Sequence, residues 1–185
     1  MTTTHIILTG FMGTGKTEVG RRLARLLGRP FVDTDALVES RAGRSVAAIF
    51  ASEGEAVFRQ REREAIAEAC TLAEAVVAIG GGALLDAENR RRLFGAGPVV
   101  CLRASPKEIL RRVGDARDRP LLYGDGTASA VERLARIEAL LAARAAAYAL
   151  STHTVDTDGL TPDEVTRRVR ALVERSGERP GGSET

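Results

Sequence analysis

Short apolar runs alternate along the chain with longer amphipathic ones. Residues 5–9 (HIILT), 31–33 (FVD), 75–79 (AVVAI), 98–102 (PVVCL) and 153–156 (HTVD) read as strands. Most are apolar nearly throughout, as strands covered on both faces are. Between them lie stretches of helical period. In 16–27, Val19, Leu23, Leu26 and Leu27 form one stripe, and Gly28 with Pro30 supplies the stop. In 130–149, Val131, Leu134, Ile137, Leu141, Ala145 and Tyr148 recur every three or four residues. Arg144 is the one charge in an alanine-rich part of that helix, and period alone turns it to solvent.

This alternation predicts an α/β fold, an open and mostly parallel five-stranded sheet with helices on both faces. Ligands in such folds collect beyond the carboxyl ends of the strands. Gly10, Asp33, Asp35 and the glycine run 80–82 are therefore expected on one rim. The length of 185 residues suits one domain over 1–175. The tail 176–185 has almost no apolar content and is expected to be disordered.

Composition narrows the function classes. A net charge of +2 argues against a general nucleic-acid binder, which normally carries a basic excess. Arginine heavily outnumbers lysine, so the positive charge comes as planar, forked donors suited to carboxylates and phosphates. Cys70 and Cys101 match no metal-ligand spacing and read as buried or semi-buried free thiols of a cytoplasmic protein. No stretch approaches the roughly 18 uninterrupted apolar residues of a membrane span.

The chemistry begins after the first strand. "GFMGTGKT", residues 10–17, fits G-x-x-x-x-G-K-[ST] between a strand and a helix. Its glycines let consecutive N–H groups turn inward around a phosphate, and the helix presents its positive end. Lys16 can reach the outer phosphates, and the Thr17 hydroxyl can ligate Mg²⁺. The chain therefore binds a nucleoside triphosphate. It is short for a motor and lacks the N/T-K-x-D guanine motif of a GTPase, so a small-molecule kinase leads.

Other polar clusters fall near the same rim. In "VDTD", Asp33 and Asp35 lie two apart, and on an extended chain they point to one side. As turn residues they are equally at home. "FRQRERE" opens a helix carrying Arg59 soon after Gly54, and "AIGGGALL" closes the third strand. Three glycines there mean close backbone approach or N–H groups turned outward. The Gly-, Arg- and Asp-rich segment 111–128 reads as a lid.

Together these motifs resemble the shikimate kinase family, small P-loop enzymes related in fold to adenylate kinase. The likeness runs from about residue 6 to about 172, on "GFMGTGKT", "DTD" with "ALVESRAGRSVAAIFASEGEAVFRQRE", "GGGA", "RPLL" and the arginine before "AAAY". It implies a three-layer α/β/α P-loop kinase fold with a substrate-binding region near 34–62 and a lid near 112–126. It also implies ATP-dependent phosphorylation of the 3-hydroxyl of shikimate by a cytoplasmic monomer, giving ADP and 3-phosphoshikimate for aromatic amino-acid synthesis.

By matching position, Gly13, Thr14, Gly15, Lys16 and Thr17 would cradle ATP, with Thr17 on Mg²⁺ directly and Asp33 through water. Asp35 would hold the shikimate hydroxyls, and Arg59 and Arg144 its carboxylate, helped by the backbone of Gly81 and Gly82. Arg119 would be the lid arginine that reaches phosphate and substrate, catalytic together with Lys16 and Asp35. Arg112 would stack on adenine, although Arg111 is its neighbour. Glu18 departs from the family's frequent pair of small hydroxyl residues, and is harmless if it points outward. A kinase of another polyhydroxy acid, such as gluconate, and a catalytically silent P-loop module are the alternatives.

Overall fold

In the computed structural model, which describes residues 4–114 and 128–177, five parallel strands form one sheet in the order β2-β3-β1-β4-β5. They are β1 (Ile6–Gly10), β2 (Phe31–Asp33), β3 (Val76–Ala78), β4 (Val99–Arg103) and β5 (His153–Asp156). All five apolar runs are strands. β1 is central because both of its faces are apolar. Leu8 packs with Val19 and Leu23 of α1 (Lys16–Leu27) and Val165 and Val169 of α7 (Pro162–Gly177). Ile7 packs on the other side with Ile66 of α3 (Val46–Ala69), Leu93 of α4 (Ala87–Ala96) and Ala147 of α6 (Ala130–Ala149). The result is an α/β/α sandwich.

Two smaller clusters carry the parts that flank the sheet's carboxyl end. Val38 of α2 (Thr34–Ala42) packs on Ile49, Phe58 and Ala65 of α3. Phe11, just after β1, packs with Ile109 of α5 (Pro106–Val113) and Ile137 of α6. Among the described residues no helix is long and apolar enough to cross a membrane.

The structure corrects three local expectations. In α1, Leu26 is exposed and Ala24 takes the inward position beside Leu23. In α6, Val131 and Ala145 are exposed, whereas Ile137, Arg144 and Ala147 are buried. The inward face is thus displaced by one residue near its end, because Arg144 has a ring to lie on, as described below. Finally, α7 continues to Gly177, so residues 176 and 177 are helical rather than tail.

Parallel registry brings the strand ends to one edge. Asp33 is level with Ala78, and Gly10 with Leu102. Gly10 is obligatory there: a Cβ would lie 2.2 Å from the Leu102 carbonyl oxygen, and its φ of +135° disfavours any side chain.

Candidate active site

The loop after β1 turns on Gly13 and Gly15, at φ 77° and 94°. The Thr14 hydroxyl donates to the Phe11 carbonyl at 2.7 Å and braces the turn from inside. Lys16 donates from Nζ to the carbonyls of Gly10 at 2.9 Å and Phe11 at 3.1 Å, which holds its charge over the loop. No side chain caps the start of α1, so its first N–H groups and the positive end of its dipole face the loop. Glu18 points away: its carboxylate is half exposed and pairs with Arg22 at 2.6 Å.

Thr17 and Asp33 meet directly, Oγ1 donating to Oδ2 at 2.8 Å. The other oxygen of Asp33 caps α2, accepting from the N–H groups of Asp35 and Ala36. This overturns the premise that Asp33 and Asp35 share one extended segment. The strand ends at Asp33, and Asp35 already belongs to the first helical turn. The turn-forming capacity of Asp33 is what redirects the chain. Asp35 consequently faces the glycine run rather than the phosphate loop.

Side chains press close on each of the three glycines of that run. A Cβ on Gly80 would lie 2.6 Å from Glu62 Oε1 and 2.9 Å from Asp35 Oδ1. On Gly81 it would lie 3.1 Å from Arg144 Nη1, and on Gly82 2.7 Å from Arg59 Nη2. Two guanidiniums therefore flank adjacent glycines, with two carboxylates at the glycine before. Arg59 is tied to Glu62 at 2.8 Å and Glu55 at 3.0 Å. Arg144 is only 7% exposed, its guanidinium 5.2 Å from the centre of the Phe11 ring.

Glu62 was not singled out by the sequence, although its spacing of three from Arg59 on a helix puts both on one face. It is 1% exposed, and its Oε1 accepts no hydrogen bond among the described residues. Burial pushes its carboxyl above the ordinary range, and the nearby Asp35 adds to this against the pull of Arg59 and Arg144.

Arg112, rather than Arg111, reaches the phosphate loop. It donates to the Gly13 carbonyl at 3.3 Å and to Thr157 Oγ1 and O at 2.9 and 2.7 Å. Arg111 turns outward onto Glu108, whose carboxyl its hydrogen bond holds down to about 2, with Arg112 assisting. Arg119 and most of the expected lid over 112–126 lie outside the described residues.

No three His, Cys, Asp or Glu side chains gather as a metal cage among the described residues. The Thr17 hydroxyl and the Asp33 carboxylate nevertheless present adjacent hard oxygens at the start of α1. That donor set fits a Mg²⁺ ion completed by phosphate oxygens and water, since Mg²⁺ dehydrates reluctantly and needs few protein ligands.

Comparison with known proteins follows the same lines. The family model "Shikimate kinase" matches residues 12–174. A shikimate kinase of Symbiobacterium thermophilum is 46% identical over 178 residues, spanning 95% of this chain and 99% of its own length. The solved structure of shikimate kinase from Acinetobacter baumannii in complex with shikimate superposes with a TM-score of 0.88 at 34% identity, over 96% of this chain and 97% of that one. A gluconokinase structure from Sinorhizobium meliloti has a TM-score of 0.61 at 22% identity, over 95% and 94%, a likeness of fold alone.

Proposed function

The chain belongs to the shikimate kinase family and phosphorylates shikimate, and from that premise we propose how its own residues divide the work. The two guanidiniums beside Gly81 and Gly82, with Asp35 one residue away on the same rim, carry the reading. Shikimate is a small anion with three hydroxyls. Arg59 and Arg144 take its carboxylate as forked donors, and the backbone N–H groups of Gly81 and Gly82 assist. Asp35 accepts from the ring hydroxyls and aims the 3-hydroxyl at the phosphate loop.

The residues of the loop 13–17 cradle the phosphates of ATP, and Lys16 stands at its mouth for the transferred group. Phosphoryl transfer passes through a loose transition state, so alignment and charge neutralisation outweigh a strong base. Asp35 acts chiefly as an orienter and receives the proton as the new bond forms. Thr17 would hold Mg²⁺ directly and Asp33 through water; bound there, the ion neutralises phosphate charge. Arg112, fixed between Gly13 and Thr157, borders the nucleotide end and offers its planar face to the base.

The enzyme works as a monomer, organised as one domain with its acceptor region over 34–62. Two free thiols suit the reducing cytoplasm. ATP consumption coupled to ADP detection, with shikimate, quinate and gluconate offered separately, tests the reading. Turnover with shikimate at least tenfold above the others is expected. Preference for gluconate would favour the polyhydroxy-acid alternative, and silence with all three a non-catalytic module.

A further inference from the structure

Tyr148 stands against the glycine run with no role in the reading above. Its hydroxyl donates to the Gly81 carbonyl at 2.7 Å, and a Cβ on Gly81 would lie between that oxygen, at 3.2 Å, and Arg144 Nη1, at 3.1 Å. We infer that Tyr148 is a positioning residue for the carboxylate of the acceptor, fixing the peptide that joins Gly81 to Gly82 beside the guanidinium of Arg144. This rests on the proposed roles of Arg144 and the Gly82 N–H.

The phenol has a single proton to give, and it goes to the Gly81 carbonyl. The described peptide bonds are all trans, so the Gly81 carbonyl and the Gly82 N–H point in opposite directions across one plane. Anchoring the carbonyl on α6 directs that N–H away from α6, and among the described residues it donates to no protein acceptor. Two successive glycines otherwise place little restraint on this peptide. Were it to rotate, a carbonyl lone pair would face the carboxylate in place of a donor. Close approach also explains Gly81 itself, where a Cβ would lie 3.2 Å from the Tyr148 oxygen. Burial pushes the hydroxyl up to about 12, so the proton stays on at neutral pH.

Tyr148→Phe removes the hydroxyl and keeps the ring. The KM for shikimate is expected to rise about tenfold, the effect of one lost hydrogen bond in a charged site. The kcat should stay within about twofold and the KM for ATP unchanged, a split that general loosening of the fold does not produce. An unchanged KM for shikimate overturns the assignment, and so does an equal rise for ATP. In the wild-type chain, ¹⁵N spectra should show the Gly82 amide shifting on addition of shikimate without nucleotide. A stationary Gly82 signal overturns the assignment even if the variant does not fold. A wild-type enzyme that neither binds nor turns over shikimate overturns the functional reading along with it, whereas turnover with an unmoved variant overturns Tyr148 alone.

Discussion

Gly80 illustrates how much of the site depends on an absent atom. Its backbone is not in the left-handed region, so alanine meets no conformational penalty there. The obstacle is space, because the new methyl would press on the buried carboxylate of Glu62 and the half-buried one of Asp35. Gly80→Ala should therefore reduce turnover of shikimate by about tenfold or more through misaligned Asp35, while nucleotide affinity, measured by calorimetry, stays near wild type. Glu62 makes a second prediction at this scale. Unfolded, its carboxyl titrates near the ordinary value of 4.5; folded, it titrates higher because it is buried. Between those values the folded chain binds more protons, so the stability contributed by Glu62 is lost as pH rises through the window. Glu62→Gln cannot titrate. The difference in Tm, variant minus wild type, should be larger at pH 7 than at pH 4.5, and a constant difference would contradict the assignment.

At the scale of elements, two local turns of the backbone set the direction of the proposed acceptor residues. Asp33 ends β2 and starts α2 with one side chain, using one oxygen as cap and the other for Thr17. Gly54 interrupts α3 at φ 84° and ψ 171°, so the turn bearing Arg59 and Glu62 departs from the axis of the preceding segment. A Cβ on Gly54 meets nothing within 4 Å, which isolates the backbone penalty of about 1–3 kcal/mol for a region reserved to glycine. Gly54→Ala should lower the urea midpoint accordingly and raise the KM for shikimate. The strands, α1 and the phosphate loop were legible because apolar runs and a glycine spacing encode them locally. What escaped was decided by neighbours distant in sequence. Period in α6 nominated Ala145 for the interior, but Phe11 offers its ring to Arg144, and no window around residue 144 contains Phe11. At "VDTD" the deciding contact is local instead: of the two readings open there the turn-forming one prevails, because Asp33 caps the helix that holds Asp35.

At the scale of the whole molecule, the parallel sheet brings the two proposed receptors to one edge while building them from different strands and helices. The phosphate loop depends on β1 and α1, with Arg112 arriving from α5; the acceptor site depends on α2, α3, α6 and the turn after β3. Because each receptor is braced by its own contacts, damage to one should leave the other able to stabilise the fold. Arg144→Ala separates them. The residue is buried, and its loss removes the proposed carboxylate donor together with its contact on Phe11. A ligand that binds only the folded chain at 100 times its Kd adds about 2.7 kcal/mol to stability. ATP with Mg²⁺ should therefore raise the Tm of Arg144→Ala by as much as it raises that of the wild type. Shikimate at the same concentration should raise the wild type and leave the variant almost unmoved. Equal responses to shikimate would remove Arg144 from the acceptor site. A variant insensitive to both ligands would mean that Phe11, which packs beneath the phosphate loop and against Arg144, binds the two receptors into one cooperative unit.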